Sequence, residues 1–257
     1  MRLFVPRAGT QMFDSEVAVD ISCGDLVPTK HSNRRRQAMN PTISIVNQSK
    51  IVVNSILKRV VIPAMQKQIT RDFEPVWGWG ANLKFNTRKF DMKVIIKDTA
   101  GKGGYLGYHI KSGKPVTYIF AKDDIADSGE YSSTLSHELL EMIADPGVNL
   151  YAIGKFRDGG RKKSGLYGLE VCDPVEANYY KIDGVTVSDF VRPEWFEPEH
   201  KKGRMKMDHM GVVDAPFMLA EGGYADVLAG SRWHTLRGRK AKVKRVRHRG
   251  DARKLNR

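Results

Sequence analysis

Near its middle the chain carries LSHELLEMIADP (residues 135–146), in which acidic residues surround a single histidine. His137 and Glu141 are four residues apart, so on a helix they project from the same side. Zinc accepts imidazole nitrogen and carboxylate oxygen alike, at about 2.0–2.2 Å. A helical His–Glu pair can therefore offer two ligands to one metal ion. The alternative is a solvated ion pair on an exposed helix face.

Glu138, next to the histidine, is the candidate general base. The segment matches the H-E-x-x-H signature of zinc peptidases except at Glu141, which replaces the second histidine. In that signature the glutamate takes a proton from metal-activated water. Because a ligand set of one histidine and several carboxylates is hard, it could favour manganese, calcium or magnesium over zinc.

Further carboxylates follow in GLEVCDPVEANYYKIDG (residues 168–184). Glu170 and Asp173 are three residues apart and could converge on a metal ion carried by the helix. Turn formation is the alternative, since Asp173-Pro174 is a turn-forming pair.

Two other histidines, His109 and His209, could supply a nitrogen ligand or stabilise a transition state, although a structural or surface role is the simpler interpretation. The cysteines Cys23 and Cys172 form no C-x-x-C pair, so a cysteine-based zinc site is not expected. Two cysteines also provide no disulfide framework, which favours a reducing compartment.

The elements that must position these residues follow from periodicity. Leu135, Leu139, Met142 and Ile143 form a core stripe behind His137 and Glu141. Serines and a threonine at 132–134 are candidate N-caps, and the Asp-Pro-Gly sequence at 145–147 should end the helix.

Upstream, we predict strands at residues 43–49, 81–85, 92–98 and 115–123, and a long helix at 51–71 that is kinked at Pro63. The apolar residues of that helix include Val53, Ile56 and Val60. The glycine-rich segment 101–109 lacks the spacing of a phosphate-binding loop and is expected to cross in front of a cleft.

Five segments together resemble a family of mostly uncharacterised bacterial and bacteriophage proteins: GYLGYH, SHELLEMIADP, EVCDPVE, GVTVSDFVRPEWFEP and APFMLAEGGY. More distantly, the SHExxExxxDP helix followed by an E-x-x-D segment resembles zincin-like metallopeptidases. The resemblance implies an α+β fold in which a small mixed sheet and a long backing helix support the HExxE helix, ahead of a loop-rich C-terminal part. It also implies one divalent ion, expected to be zinc, with His137 and Glu141 as ligands and Glu138 as the base. Glu170 and Asp173 would supply the remaining ligand or its orienting shell.

The net charge of +14 is concentrated at one end of the chain. Residues 231–257 contain twelve of the 43 Lys and Arg residues and one acid, Asp251. Such a tail could bind nucleic acid or an acidic protein surface through counterion release, or simply keep the chain soluble. We therefore divide the chain into an extended arm (1–40), a metallopeptidase-like domain (41–230) and a basic tail (231–257).

The sequence thus favours a metal-dependent hydrolase acting on a peptide or protein substrate. The alternative is a phage virion or packaging-associated protein that keeps an inactive peptidase-like fold and uses its basic tail for binding. No apolar run is long enough to cross a membrane. The N-terminal residues have charges and a proline where a secretory signal needs an apolar run, so we expect the cytoplasm or a virion.

Overall fold

The computed structural model describes residues 40–101 and 105–240, together with two short backbone strands, β1 (Arg2–Phe4) and β2 (Ala18–Asp20). Cys23, most of the predicted arm and residues 241–257 of the predicted tail lie outside the described residues. The described part is an α+β structure with three sheets.

A mixed sheet occupies the first half of the described chain. Its strands are β3 (Thr42–Asn47), β4 (Asn82–Phe85), β5 (Met92–Lys97), β6 (Gly107–Ser112) and β7 (Lys114–Phe120). The spatial order is β4-β3-β5-β7-β6, in which β4, β3, β5 and β7 are parallel and β6 is an antiparallel edge strand. The predicted strands at 43–49, 81–85 and 92–98 correspond to β3, β4 and β5. The predicted loop is wrong for residues 107–109, which belong to β6, while 102–104 lie outside the described residues.

A continuous helix, α1 (Asn54–Trp77), connects β3 to β4. One row of its buried apolar residues recurs every four positions, at Leu57, Val61, Met65, Ile69, Phe73 and Trp77, and Ile62 and Ala64 are buried beside it. An α-helix has 3.6 residues per turn, so a four-residue repeat would drift around it. The wider π-helical turns at Leu57–Val61 and Gln68–Phe73 drift in the opposite sense and keep the repeat facing the core.

The predicted apolar stripe of this helix is therefore wrong at three positions. Val53, Ile56 and Val60 are 54%, 52% and 44% exposed, respectively. At Pro63 the helix continues, directly after a π-helical turn. Such a turn is a usual way to accommodate a residue without an amide hydrogen.

Two further helices follow the mixed sheet. The strand predicted to reach residue 123 ends at Phe120, because α2 (Ala121–Ser128) begins there. The next helix, α3 (Ser132–Ala144), carries the HELLE motif and is buried on nearly all sides, which contradicts the alternative of a solvated ion pair on an exposed helix face. Its N-cap is Tyr131 without a side-chain hydrogen bond, which makes the predicted serine caps wrong. The helix ends before Asp145, as predicted. The Asp145 carboxylate accepts hydrogen bonds from the backbone amides of Asn149 and Leu150.

The remainder of the described chain forms an antiparallel sheet and a hairpin. The sheet contains β8 (Tyr151–Asp158), β9 (Arg161–Gly168), β12 (Tyr224–Ala229) and β13 (Arg232–Arg237), with the order β13-β12-β9-β8-β1-β2. The hairpin pairs β10 (Tyr179–Ile182) with β11 (Val185–Ser188). The predicted boundary at residue 230 thus falls inside the β12–β13 hairpin. No helix among the described residues has the length and apolar character to span a membrane.

Candidate metal centre

A cavity of about 350 Å³ lies between α3, β6 and the segment after β9. Helix α3 lines it with His137, Glu138 and Glu141, and residues after β9 contribute Glu170 and Asp173. All five residues predicted from the sequence therefore face one cavity. All five are also buried, so their charges must be balanced by one another, by protons or by a bound cation.

His137 is the centre of the first group of possible ligands. Its Nε2 atom lies 3.3 Å from Oε2 of Glu141 and 3.2 Å from Oδ1 of Asp173. Two ligand atoms that are each about 2.1 Å from one ion, at a tetrahedral angle, lie about 3.4 Å apart. The separations around Nε2 therefore suit a small divalent ion. On the other side of the ring, Nδ1 lies 2.9 Å from Oε2 of Glu176, an approach of opposite charges without hydrogen-bond geometry.

His109, from the edge strand β6, is the centre of the second group. Its Nδ1 atom lies 3.1 Å from Oε2 of Glu138 and 3.9 Å from Oε2 of Glu141. Its Nε2 atom lies 3.7 Å from Oε2 of Glu170 and has no hydrogen-bond partner within the described part of the chain. Glu170 is therefore placed beside His109, whereas Asp173 contacts His137.

Three sets of possible ligand atoms each lie within 4.8 Å of one another: His137 with Glu141 and Cys172, His109 with Glu138 and Glu141, and His137 with Asp173 and Glu176. Glu141 is common to the first two sets and His137 to the first and third. None of these sets contains His137, Glu141 and Asp173 together. We favour a centre on His137 that takes Glu141 from the first set and Asp173 from the third, since an oxygen atom of each approaches the same nitrogen atom.

The pKa values show how strongly the cavity attracts positive charge. Burial opposes the charged form of His109, but Glu170, Glu138 and Glu141 outweigh it and raise the pKa of His109 to about 9. The pKa of His137 also rises well above its usual value, because Glu141, Glu176 and Asp173 outweigh the effect of burial. Burial, and then Glu141, raises the pKa of Asp173 to about 8. These residues thus retain protons that a divalent cation would displace on binding.

Neighbouring groups hold the candidate ligands in place. Oε1 of Glu141 accepts the amide hydrogen of Cys172 at 3.1 Å, and the hydroxyl of Tyr224 donates to Oδ1 of Asp173. In Glu141 the hydrogen bond is to Oε1 and leaves Oε2 free to face the ion, whereas in Asp173 the Tyr224 hydroxyl bonds to Oδ1, the same oxygen that approaches His137. The donor set, its separations and these supports fit a divalent metal ion.

The sequence left His109 open as a nitrogen ligand or transition-state donor but favoured a structural or surface role, and it did not identify Tyr224. One signal for His109 was present: a Cβ atom on Gly107 would lie 2.8 Å from Cγ2 of Thr134, so the glycine lets β6 approach α3. His209 is remote from these groups, and it stacks on Phe190. Comparison with protein-family models, curated proteins and solved structures finds no match to this chain.

Proposed function

We propose that this chain is a metal-dependent hydrolase of the metallopeptidase type, with a zincin-like arrangement of sheet and active-site helix. The observation that carries the proposal is the approach of Glu141 and Asp173 to Nε2 of His137. An ion such as zinc, held by these three residues, would supply Lewis-acid activation of water and of a substrate carbonyl.

Glu138 is the residue that moves the proton. It follows His137 on α3, is buried, and lines the same cavity. Its Oε2 atom is 3.1 Å from Nδ1 of His109. A carboxylate in this position accepts a proton from water and delivers it to the leaving amine, while the neighbouring imidazole fixes its orientation.

The edge strand β6 supports a peptide as the substrate. Gly107, Tyr108 and His109 of this strand line the cavity, and among the described strands β6 pairs only with β7. The free side of an edge strand can hydrogen-bond an extended peptide in β-strand geometry. Such a peptide would pass directly in front of Glu138.

The test is hydrolysis of a fluorogenic peptide library by the purified protein, with zinc or manganese added after chelation. We expect cleavage that depends on the ion, a rate at least about 100-fold lower for Glu138→Gln, and unchanged metal content in that variant. Glu199→Gln, at an exposed position, is the matched control and should be fully active. Full activity of Glu138→Gln, or no cleavage with either ion, would refute the proposal.

A further inference from the structure

One end of the cavity contains a carboxylate that the proposed chemistry does not use. Asp124 of α2 is completely buried and lines the cavity. The hydroxyl of Ser128 donates to its Oδ1 atom at 3.2 Å, and the side chain of Thr134 lies close enough to favour the charged form of the carboxylate. Its Oδ2 atom is buried and has no hydrogen-bond partner among the described residues. A carboxylate oxygen buried in this way is costly unless a donor or a cation reaches it.

Within the described part of the chain no lysine, arginine or histidine forms an ion pair with Asp124, although His109 and His137 line the same cavity. Eight acidic residues line the cavity: Asp124, Asp127, Glu138, Glu141, Glu170, Asp173, Glu176 and Asp226. The only lysine or arginine in the described lining is Lys240, whose ammonium group lies 2.7 Å from Glu221. Burial, with smaller contributions from Glu176 and Glu130, raises the pKa of Asp124 to about 6, so the group is still ionised at pH 8.

Asp124 lies close to the residues proposed to perform the hydrolysis. Thr134, whose side chain lies near Asp124, precedes His137 by three residues and Glu138 by four on α3. That spacing is about one helical turn, or about 5.4 Å along the helix. A side chain that reaches Asp124 would therefore belong to a substrate residue near the bond that is cleaved. Tyr179 lines the same end of the cavity and can cover the aliphatic part of a long side chain.

We propose that Asp124 is the specificity-determining residue of a subsite that binds a basic side chain, arginine or lysine, of a peptide substrate. The unsatisfied Oδ2 atom and the acidic lining carry this inference, and it rests on the proposed peptidase function. Arginine fits well, since its planar guanidinium can bond to Asp124 while its remaining donors face Glu176.

The test compares two peptides that are identical except for one residue, which is arginine in the first and citrulline, its neutral isostere, in the second. Their affinities are measured by calorimetry at pH 8, with Glu138→Gln as the background so that no peptide is consumed. We expect arginine to bind about tenfold more tightly or better, and we expect Asp124→Asn to abolish the difference. Asp226→Asn removes a charge from the same cavity and should preserve the preference, which separates a local contact from the general negative potential.

Equal affinity for the two peptides in the unaltered subsite would overturn the inference, as would a preference that survives Asp124→Asn. The first comparison needs no change at Asp124, so it remains decisive if that variant does not fold. Binding is measured without turnover, so this result is separate from the proposed function. Hydrolysis without any preference for arginine would refute only the subsite.

Discussion

Replacement of Ser136 by alanine tests how α3 is held in the position that forms the cavity. The hydroxyl of Ser136 donates to Oε1 of Gln68 on α1 at 2.7 Å and accepts the amide hydrogen of Ser188 in β11 at 2.9 Å. All three residues are buried. Alanine would leave Oε1 of Gln68 and the backbone amide of Ser188 buried without a hydrogen-bond partner. Each unsatisfied group costs about 1–3 kcal/mol of stability. We therefore expect a loss of about 2–4 kcal/mol in the free energy of unfolding.

Thermal unfolding followed by circular dichroism measures this loss. In a chain of this size 1 kcal/mol corresponds to about 2–4 °C, so the Tm of Ser136→Ala should fall by roughly 5–15 °C. Ser133→Ala is the matched control, because Ser133 is buried on the same helix and makes no side-chain hydrogen bond to the described residues. The reasoning is refuted if the two variants have the same Tm. In that case the hydrogen bonds of Ser136 would not be what anchors the helix.

Two further changes test other parts of the structure. Gly107→Ala would place a methyl group 3.0 Å from Cγ of Glu138. We therefore expect the free energy of unfolding, measured with a chemical denaturant, to fall by about 1–3 kcal/mol and hydrolysis to be slower. Unchanged stability and unchanged hydrolysis would contradict the close packing. Burial, and then the neighbouring Asp208, raises the pKa of Asp189 to about 8, so its contribution to stability is complete below about pH 4 and is lost as the pH rises through 8. From pH 6 to pH 8 the free energy of unfolding of the unaltered protein should therefore fall by up to about 1.4 kcal/mol per pH unit more than that of Asp189→Asn, and its Tm should fall more as well. Parallel pH profiles of Tm would show that this carboxyl group is not responsible.

Local sequence signals predicted the helix that carries the candidate site. The Asp-Pro-Gly sequence after Ala144 ends α3 where expected, and the four-residue spacing of His137 and Glu141 places both in one cavity. Asp173 could be proposed because it lies three residues after Glu170 in an acidic segment, although the β8–β9 hairpin separates that segment from α3. These features depend on backbone preferences and on the periodicity of apolar residues, which a short stretch of sequence is enough to show.

The rest of the site depends on contacts between distant segments. His109 reaches Glu138 only because β6 pairs with β7 at the edge of the sheet, and strand pairing leaves no periodic signal at a single histidine. The exposed Val53 and Ile56 were misassigned, because the π-helical turns change which residues of α1 face the core. Tertiary contacts decide such positions, and propensity alone does not.

The amino-acid composition also did not reveal where in the fold the charged residues lie. The chain has a net charge of +14, yet eight acids line its cavity and one lysine, Lys240, joins them. Charge summed along a sequence describes the surface and the termini, whereas the fold decides which carboxylates are brought together. An acidic cavity in a basic protein is the electrostatic feature on which both the metal site and the basic subsite depend.

The most direct test of the account is the metal content of the purified protein, measured by elemental analysis and by calorimetric titration after chelation. We predict one tightly bound divalent ion per chain and an affinity at least about 100-fold lower in the double variant Glu141→Gln/Asp173→Asn. Chelation should also lower the Tm of the unaltered protein and leave that of the double variant unchanged. If the protein binds no zinc, manganese, calcium or magnesium, or if the double variant binds the ion equally well, the proposed centre at His137 is wrong.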